Sequence, residues 1–135
     1  MLNSTPAIIV VEDEPIVMIV LRRVLHDLQL DHDIIAVDNG RSALAQAAYH
    51  RCALLITDYK LFGLDGLDLA REFKTRYNSH VIMITGYINR ELQQAAQAIQ
   101  IEYLIEKPFR VDAFEATVRT MLHPTPTTPP ILAPI

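Results

Sequence analysis

Residues 7–15 read Ala7-Ile8-Ile9-Val10-Val11-Glu12-Asp13-Glu14-Pro15. Five unbroken apolar residues are the pattern of a strand buried on both faces. Three acids follow at once. Pro15 then opens a helix in its first turn, where a missing N–H costs no bond. Working outward, the strand-then-helix pattern recurs along the chain. Asp33 to Val37 is the second predicted strand, and past the Asp38-Asn39-Gly40 turn an Ala-rich helix runs from Ser42 to Tyr49. Ala53 to Thr57 is the third strand, followed by a loop and a helix from Gly66 to Tyr77. Val81 to Thr85 is the fourth strand, and Asn89 caps a helix that runs to Ile99. Glu102 to Glu106 is the fifth strand, ended by Pro108, and Val111 to Leu122 is the fifth helix. Strands that alternate with helices give an α/β fold, a doubly wound five-stranded parallel sheet with helices on both faces. The three wholly apolar strands belong at its centre.

Composition agrees with one folded domain. Half of the 135 residues are hydrophobic and 21% are charged, which excludes a disordered chain. Twelve Lys and Arg against sixteen Asp and Glu give a net charge of −4 with no basic cluster. That argues against nucleic acid and membrane surfaces as partners. Cys52 is the single cysteine, so an intrachain disulfide is excluded and a reducing, cytoplasmic location is expected. The longest apolar run, Ile16 to Leu21, is too short to span a bilayer, and the N-terminus has no basic region of a secretory signal. From His123 onward the chain holds five of its eight prolines. Residues 1–123 are therefore read as the domain and residues 124–135 as a Pro/Thr-rich disordered tail or linker stub, too short for an output domain.

In such folds the ligand site lies beyond the carboxyl ends of the strands. The residues found there are Glu12, Asp13 and Glu14 after the first strand, Asp58 after the third, Thr85-Gly86 after the fourth and Lys107-Pro108 after the fifth. Each has an ordinary structural reading when taken alone: an Asp after a strand caps a helix, a Lys is a surface charge, a Thr belongs to a turn. Their joint occurrence at successive strand ends carries the functional reading. Crowded carboxylates repel unless a cation intervenes, and Mg²⁺ takes such oxygen ligands. A carboxylate can also act as nucleophile and form an acyl phosphate. Mg²⁺, Lys107 and the Thr85 hydroxyl could then each take one oxygen of a transferring phosphoryl group. No cysteine or histidine follows a strand, and no P-loop, GxGxxG or HExxH pattern is present.

These residues resemble the receiver domain of two-component response regulators over residues 7–122. The stretches Val11-Glu12-Asp13-Glu14-Pro15 and Glu106-Lys107-Pro108-Phe109 match closely, as does Asp65-Gly66 past Asp58. The resemblance implies a flavodoxin-like strand order of 2-1-3-4-5, a Lys107-Pro108 cis bond, and phosphorelay signalling by a phosphoprotein that catalyses only its own phosphoryl transfer and dephosphorylation. It implies Asp58 as acceptor from a phosphohistidine, with Lys107 and Thr85 acting on the phosphoryl group and Gly86 leaving it room. Mg²⁺ is implied as cofactor, held by Asp13, Asp58 and the Lys60 backbone carbonyl, with Glu12 acting through a water or by indirect contact. The implied partners are a sensor histidine kinase or histidine phosphotransfer protein and a downstream protein target. Phe62 stands where the family has Pro, and Leu104 stands where it has an aromatic switch residue. The alternatives are a pseudo-receiver that acts without phosphorylation, a related acyl-phosphate phosphatase, or a flavodoxin. The phosphatase would want Asp-x-Asp after the first strand, and the flavodoxin a Ser/Thr/Gly-rich loop there.

Two further expectations concern surfaces. The first helix is read as burying Val17, Val20, Leu21, Val24 and Leu28, which leaves Ile16, Met18 and Ile19 at its rim for a partner helix. In the fifth strand, alternation puts Tyr103 on the face of Lys107 and Leu104 on the opposite one. Tyr103 is therefore not expected to serve as the switch.

Overall fold

The computed structural model describes residues 3–122. The tail assigned from the sequence lies outside the described residues. In chain order the elements are β1 (Asn3–Val11), α1 (Pro15–Asp27), β2 (Asp33–Val37), α2 (Gly40–Ala47), β3 (His50–Asp58), α3 (Gly66–Arg76), β4 (His80–Thr85), α4 (Arg90–Ala98), β5 (Tyr103–Glu106) and α5 (Val111–Leu122). All pairings are parallel and the strand order is β2-β1-β3-β4-β5. The Lys107-Pro108 bond is cis, as expected.

Period-two alternation sends the central strands' side chains into two cores. Ile8, Val10, Leu54, Ile56, Ile82 and Ile84 pack against Leu21, Val24, Leu25 and Leu28 of the α1 segment and Phe114 and Val118 of α5. Ile9, Val11, Leu55, Val81 and Met83 pack instead against α2, α3 and α4 through Ala43, Leu69, Phe73 and Leu92. Burial on both faces is why these strands carry no polar alternation. Tyr103 joins the first core and Leu104 the second, with an unbroken β4–β5 register. The two residues thus lie on opposite faces, as alternation requires.

Several boundaries differ from the sequence reading. β1 starts four residues earlier than expected and passes through Pro6. The β2 ladder begins at Ala7, and before it β1 meets only β3, in an irregular register between Asn3 and Ala7 of the kind in which a proline is tolerated. β3 starts at His50, opposite Asn3. α2 begins at Gly40 because Asn39 caps it, accepting from the Ser42 N–H at 2.8 Å, and it ends at Ala47, short of Tyr49. In α1, Val20 is exposed, contrary to its assignment to the buried stripe. Leu25 is fully buried in its place, and Met18 packs partly against the core. The first half of α1 is an unbroken apolar run from Ile16 to Leu21, so the pattern there left the angle of the buried stripe ambiguous.

Two tight local arrangements hold the sheet's edges in place. Gly66 opens α3 directly under the end of β3, and its N–H donates to the Tyr59 carbonyl at 2.8 Å. A Cβ here would collide with the Asp58 carbonyl oxygen and come within 2.9 Å of the Tyr59 Cα. At the opposite edge, Glu102 accepts from Lys74 Nζ (2.8 Å) and the Val81 N–H (2.9 Å), and His80 Nδ1 lies 2.8 Å from the same carboxylate. Burial by itself would raise the Glu102 carboxyl, but the bonds from His80, Lys74 and Val81 outweigh it and hold it below the usual glutamate value.

Gly66→Ala is expected to destabilise the fold by about 1–3 kcal/mol, because backbone must move to admit the methyl. Gly86→Ala, whose Cβ meets nothing within 4 Å, should change stability by less than about 0.5 kcal/mol. Urea unfolding of both variants checks this. A depressed folded-state carboxyl stabilises above its unfolded pKa, and that stability is lost as pH falls through the folded value. Glu102→Gln should therefore cost about 1–2 kcal/mol at pH 7, with the difference from the natural chain shrinking as the pH falls below the ordinary glutamate range and gone once the pH is below the lower folded value. Unfolding curves across that range test the sign.

Candidate functional site

The carboxyl ends of β1, β3, β4 and β5 open onto a cleft of about 660 Å³. Its lining includes Asp13, Glu14, Asp58, Lys60, Thr85, Gly86 and Lys107, with Tyr59, Leu67, Leu92 and Ala95 forming an apolar wall. A parallel sheet ends all its strands on one edge, so residues far apart in sequence converge there without any local signal.

Lys107 is the centre of the site. Its Nζ lies 2.9 Å from Asp58 Oδ2, 2.8 Å from Glu14 Oε1 and 3.2 Å from Glu12 Oε1. The first two are hydrogen bonds. The third is charge proximity alone, for Glu12 Oε1 is buried with no hydrogen-bond partner. Glu12 Oε2 accepts from the Glu14 N–H at 3.0 Å, and Asp58 Oδ1 accepts from the Lys60 N–H at 3.2 Å. Burial raises the Glu12 carboxyl above its usual value, and the Asp58 charge adds to this while Glu14 N–H and Lys107 oppose it. Burial would lower the Lys107 ammonium, but its bonds to Glu14 and Asp58 outweigh that and hold it above the ordinary lysine value.

Thr85 is buried at the cleft wall. Its hydroxyl makes only long contacts with the Tyr87 backbone, at 3.3 and 3.4 Å, while its carbonyl accepts from the Lys107 N–H at 2.7 Å. The open space beside Gly86 agrees with the room expected there. Glu106 accepts from the Ile88 N–H at 3.0 Å and so ties the loop after β4 to β5.

Glu12, Asp58, Thr85 and Lys107 are thus brought together as the sequence pattern required. Among the described residues, the carboxylates whose oxygens all lie within 4.8 Å of one another are Glu12, Glu14 and Asp58. Asp13 lines the same cleft but lies outside that cluster, and Glu14, given no role from the sequence, stands inside it. Three carboxylates, one of them with a buried oxygen that has no hydrogen-bond partner, fit a hard divalent cation. The buried Cys52 thiol is pushed up to about 11 by burial and lies away from this chemistry.

Comparison with known proteins agrees with this geometry. A family model described as the response regulator receiver domain matches residues 8–119. The chain is 31% identical over 121 residues to the cyclic di-GMP phosphodiesterase response regulator RpfG of Xanthomonas campestris, covering 86% of this chain and 32% of that protein. It is 30% identical over 122 residues to the response regulator ArlR of Staphylococcus aureus, covering 88% of this chain and 53% of that one. The chain therefore spans about half or less of the curated relatives it matches. Among solved structures, the receiver domain of an HD domain-containing protein from Pseudomonas fluorescens superposes with a TM-score of 0.80 at 22% identity, covering 87% of this chain and 94% of that one. The receiver domain of a modulated diguanylate cyclase from Desulfovibrio desulfuricans gives 0.77 at 27% identity, covering 89% and 95%. With the sheet order, the acidic cluster and the matched family model all in agreement, this chain belongs to the receiver domain family of two-component response regulators.

Proposed function

We propose that Asp58 is the phosphoacceptor and takes a phosphoryl group from a phosphohistidine on a sensor histidine kinase or histidine phosphotransfer protein. The observation that carries this is the shared ammonium. Asp58, with a side chain 8% exposed, lies at a cleft mouth with Lys107 already bound to it. In the transfer, an Asp58 carboxylate oxygen forms a bond to phosphorus. The donor's N–P bond breaks, and its electron pair stays on the imidazole nitrogen. Lys107 neutralises charge on the phosphoryl oxygens, and the weakly held Thr85 hydroxyl is free to donate to one of them. Mg²⁺, held by Asp13, Asp58 and the Lys60 carbonyl with Glu12 alongside, would supply further neutralisation of those oxygens. As a receiver, the chain acts on its own phosphorylation state. Asp58, Thr85 and Lys107 stand together, so nothing favours a reading independent of phosphorylation.

The α1 surface supports the partner assignment. Ile16 is 77% and Ile19 67% exposed, with Val20 beside them, on the helix that starts at the acidic end of the site. Leu104, on the α4 face of β5, or Tyr87, whose backbone meets the Thr85 hydroxyl, takes the place of an aromatic in coupling Thr85 to a downstream protein target. Residues 1–123 are read as the receiver unit and residues 124–135 as a Pro/Thr-rich tail or linker stub, in the cytoplasm. Among the described residues no helix is long and apolar enough to cross a membrane.

Incubation with Mg²⁺ and a small acyl phosphate is expected to add one phosphoryl group by intact mass, and Asp58→Asn to abolish the addition. Phosphate retained at one site in Asp58→Asn would falsify the assignment. Ile19→Asp should slow transfer from a phosphohistidine partner by about tenfold or more, as loss of a buried interface anchor does, yet leave acyl phosphate labelling unchanged. Equal partner rates for the variant and the natural chain would remove α1 as the docking face.

A further inference from the structure

Three helices close their own N-termini with a side chain. Asn39 accepts from the Ser42 N–H, Asp65 from the Asp68 N–H and Asn89 from the Leu92 N–H. Glu14 occupies the same position on α1 and makes no such bond. Glutamate is not among the favoured N-cap residues, whose short side chains reach back to the helix. The Glu14 carboxylate extends instead to Lys107, 93 residues away in sequence, in the shorter of that lysine's two hydrogen bonds to carboxylates. It is also the most exposed of the three carboxylates around Lys107, 61% against 8% for Asp58 and 1% for Glu12. Releasing Lys107 from Glu14 therefore uncovers the least buried charge. An ammonium has three N–H donors, and one directed at Glu14 is not directed at a phosphoryl oxygen on Asp58.

We propose that Glu14 is a positioning residue that holds Lys107 toward α1 in the resting site and competes with the incoming phosphoryl group for it, which sets how fast Asp58 is phosphorylated. This rests on Asp58 being the acceptor. With an acyl phosphate donor, an Asp58 oxygen bonds to phosphorus, the donor's acyl O–P bond breaks, and the electron pair leaves on the donor's carboxylate. No proton need move, and Lys107 exchanges Glu14 for the phosphoryl oxygen.

Two variants separate contact from charge. Glu14→Gln keeps the length and removes the charge. Glu14→Asp keeps the charge but is one methylene too short for Lys107, and it is a favoured N-cap that turns its carboxylate onto α1. At saturating Mg²⁺, with acetyl phosphate as donor and intact mass as readout, both variants should be labelled about two- to fivefold faster than the natural chain, the size of one exposed ion pair. Glu14→Asp should also melt at a higher temperature. Equal labelling rates in all three chains overturn the proposal while leaving Asp58 as acceptor. Acceleration in Glu14→Gln alone overturns it too, because the effect is then one of field and not of contact. A natural chain that takes no phosphate sinks the Asp58 reading, and this proposal with it.

Discussion

The site is organised by one electrostatic requirement. Three carboxylates from two strand ends crowd around a single ammonium. At an effective dielectric constant of about 20, two like charges 4 Å apart repel by about 4 kcal/mol. Lys107 is what lets Glu12 and Asp58 stay buried together, and its main chain is fixed as well, through its N–H on the Thr85 carbonyl. Balance is nevertheless incomplete. One Glu12 oxygen has no hydrogen-bond partner, and its carboxyl is pushed toward the protonated form. The resting site is thus poised for added positive charge, which is the condition under which a carboxylate and a phosphoryl group can approach each other.

The fold serves that requirement through its edges. With both faces of the sheet covered by helices, the strands are apolar along their length, and polar residues gather where the strands stop. Asp58 sits at the end of β3, a strand with neighbours on both sides, so its backbone has little freedom. Gly66 allows α3 to start against the Asp58 carbonyl, a distance that no other residue permits. The network of Lys74, His80 and Glu102 secures the opposite ends of β4 and β5. The loop after β4, by contrast, is held by the single Glu106 bond to Ile88 and the long contacts between Thr85 and Tyr87. Close contacts are concentrated under the acceptor, and the wall beside it is held by fewer and longer hydrogen bonds.

Much of this was legible in the sequence because it depends on local chemistry. Unbroken apolar runs announced buried strands, Pro15 and Asn89 marked helix starts, and the acids, Thr85 and Lys107 stood directly after strands. Alternation alone placed Tyr103 and Leu104 on opposite faces, and the unbroken β5 ladder agrees. Where the sequence misled, the signal was ambiguous. In α1 the residues from Ile16 to Leu21 are all apolar, so nothing in that run marked Val20 as exposed, and Leu25, beyond Arg22-Arg23, is buried. The early start of β1 depends on pairing with β3 alone beyond the reach of β2, a non-local fact.

What the sequence by itself determined is therefore the α/β class, the alternation of elements, and the set of residues that could meet at one edge of the sheet, since each follows from side-chain type and short-range periodicity. What only the tertiary structure decided is how those residues share their charges: that Glu14 and not Asp13 joins Glu12 and Asp58, and that Lys107 divides its hydrogen bonds between Glu14 and Asp58. Consecutive residues in a turn have the same chemistry on paper. Which one reaches a lysine 93 positions away depends on where the packing of two helices and two strands puts the chain in space.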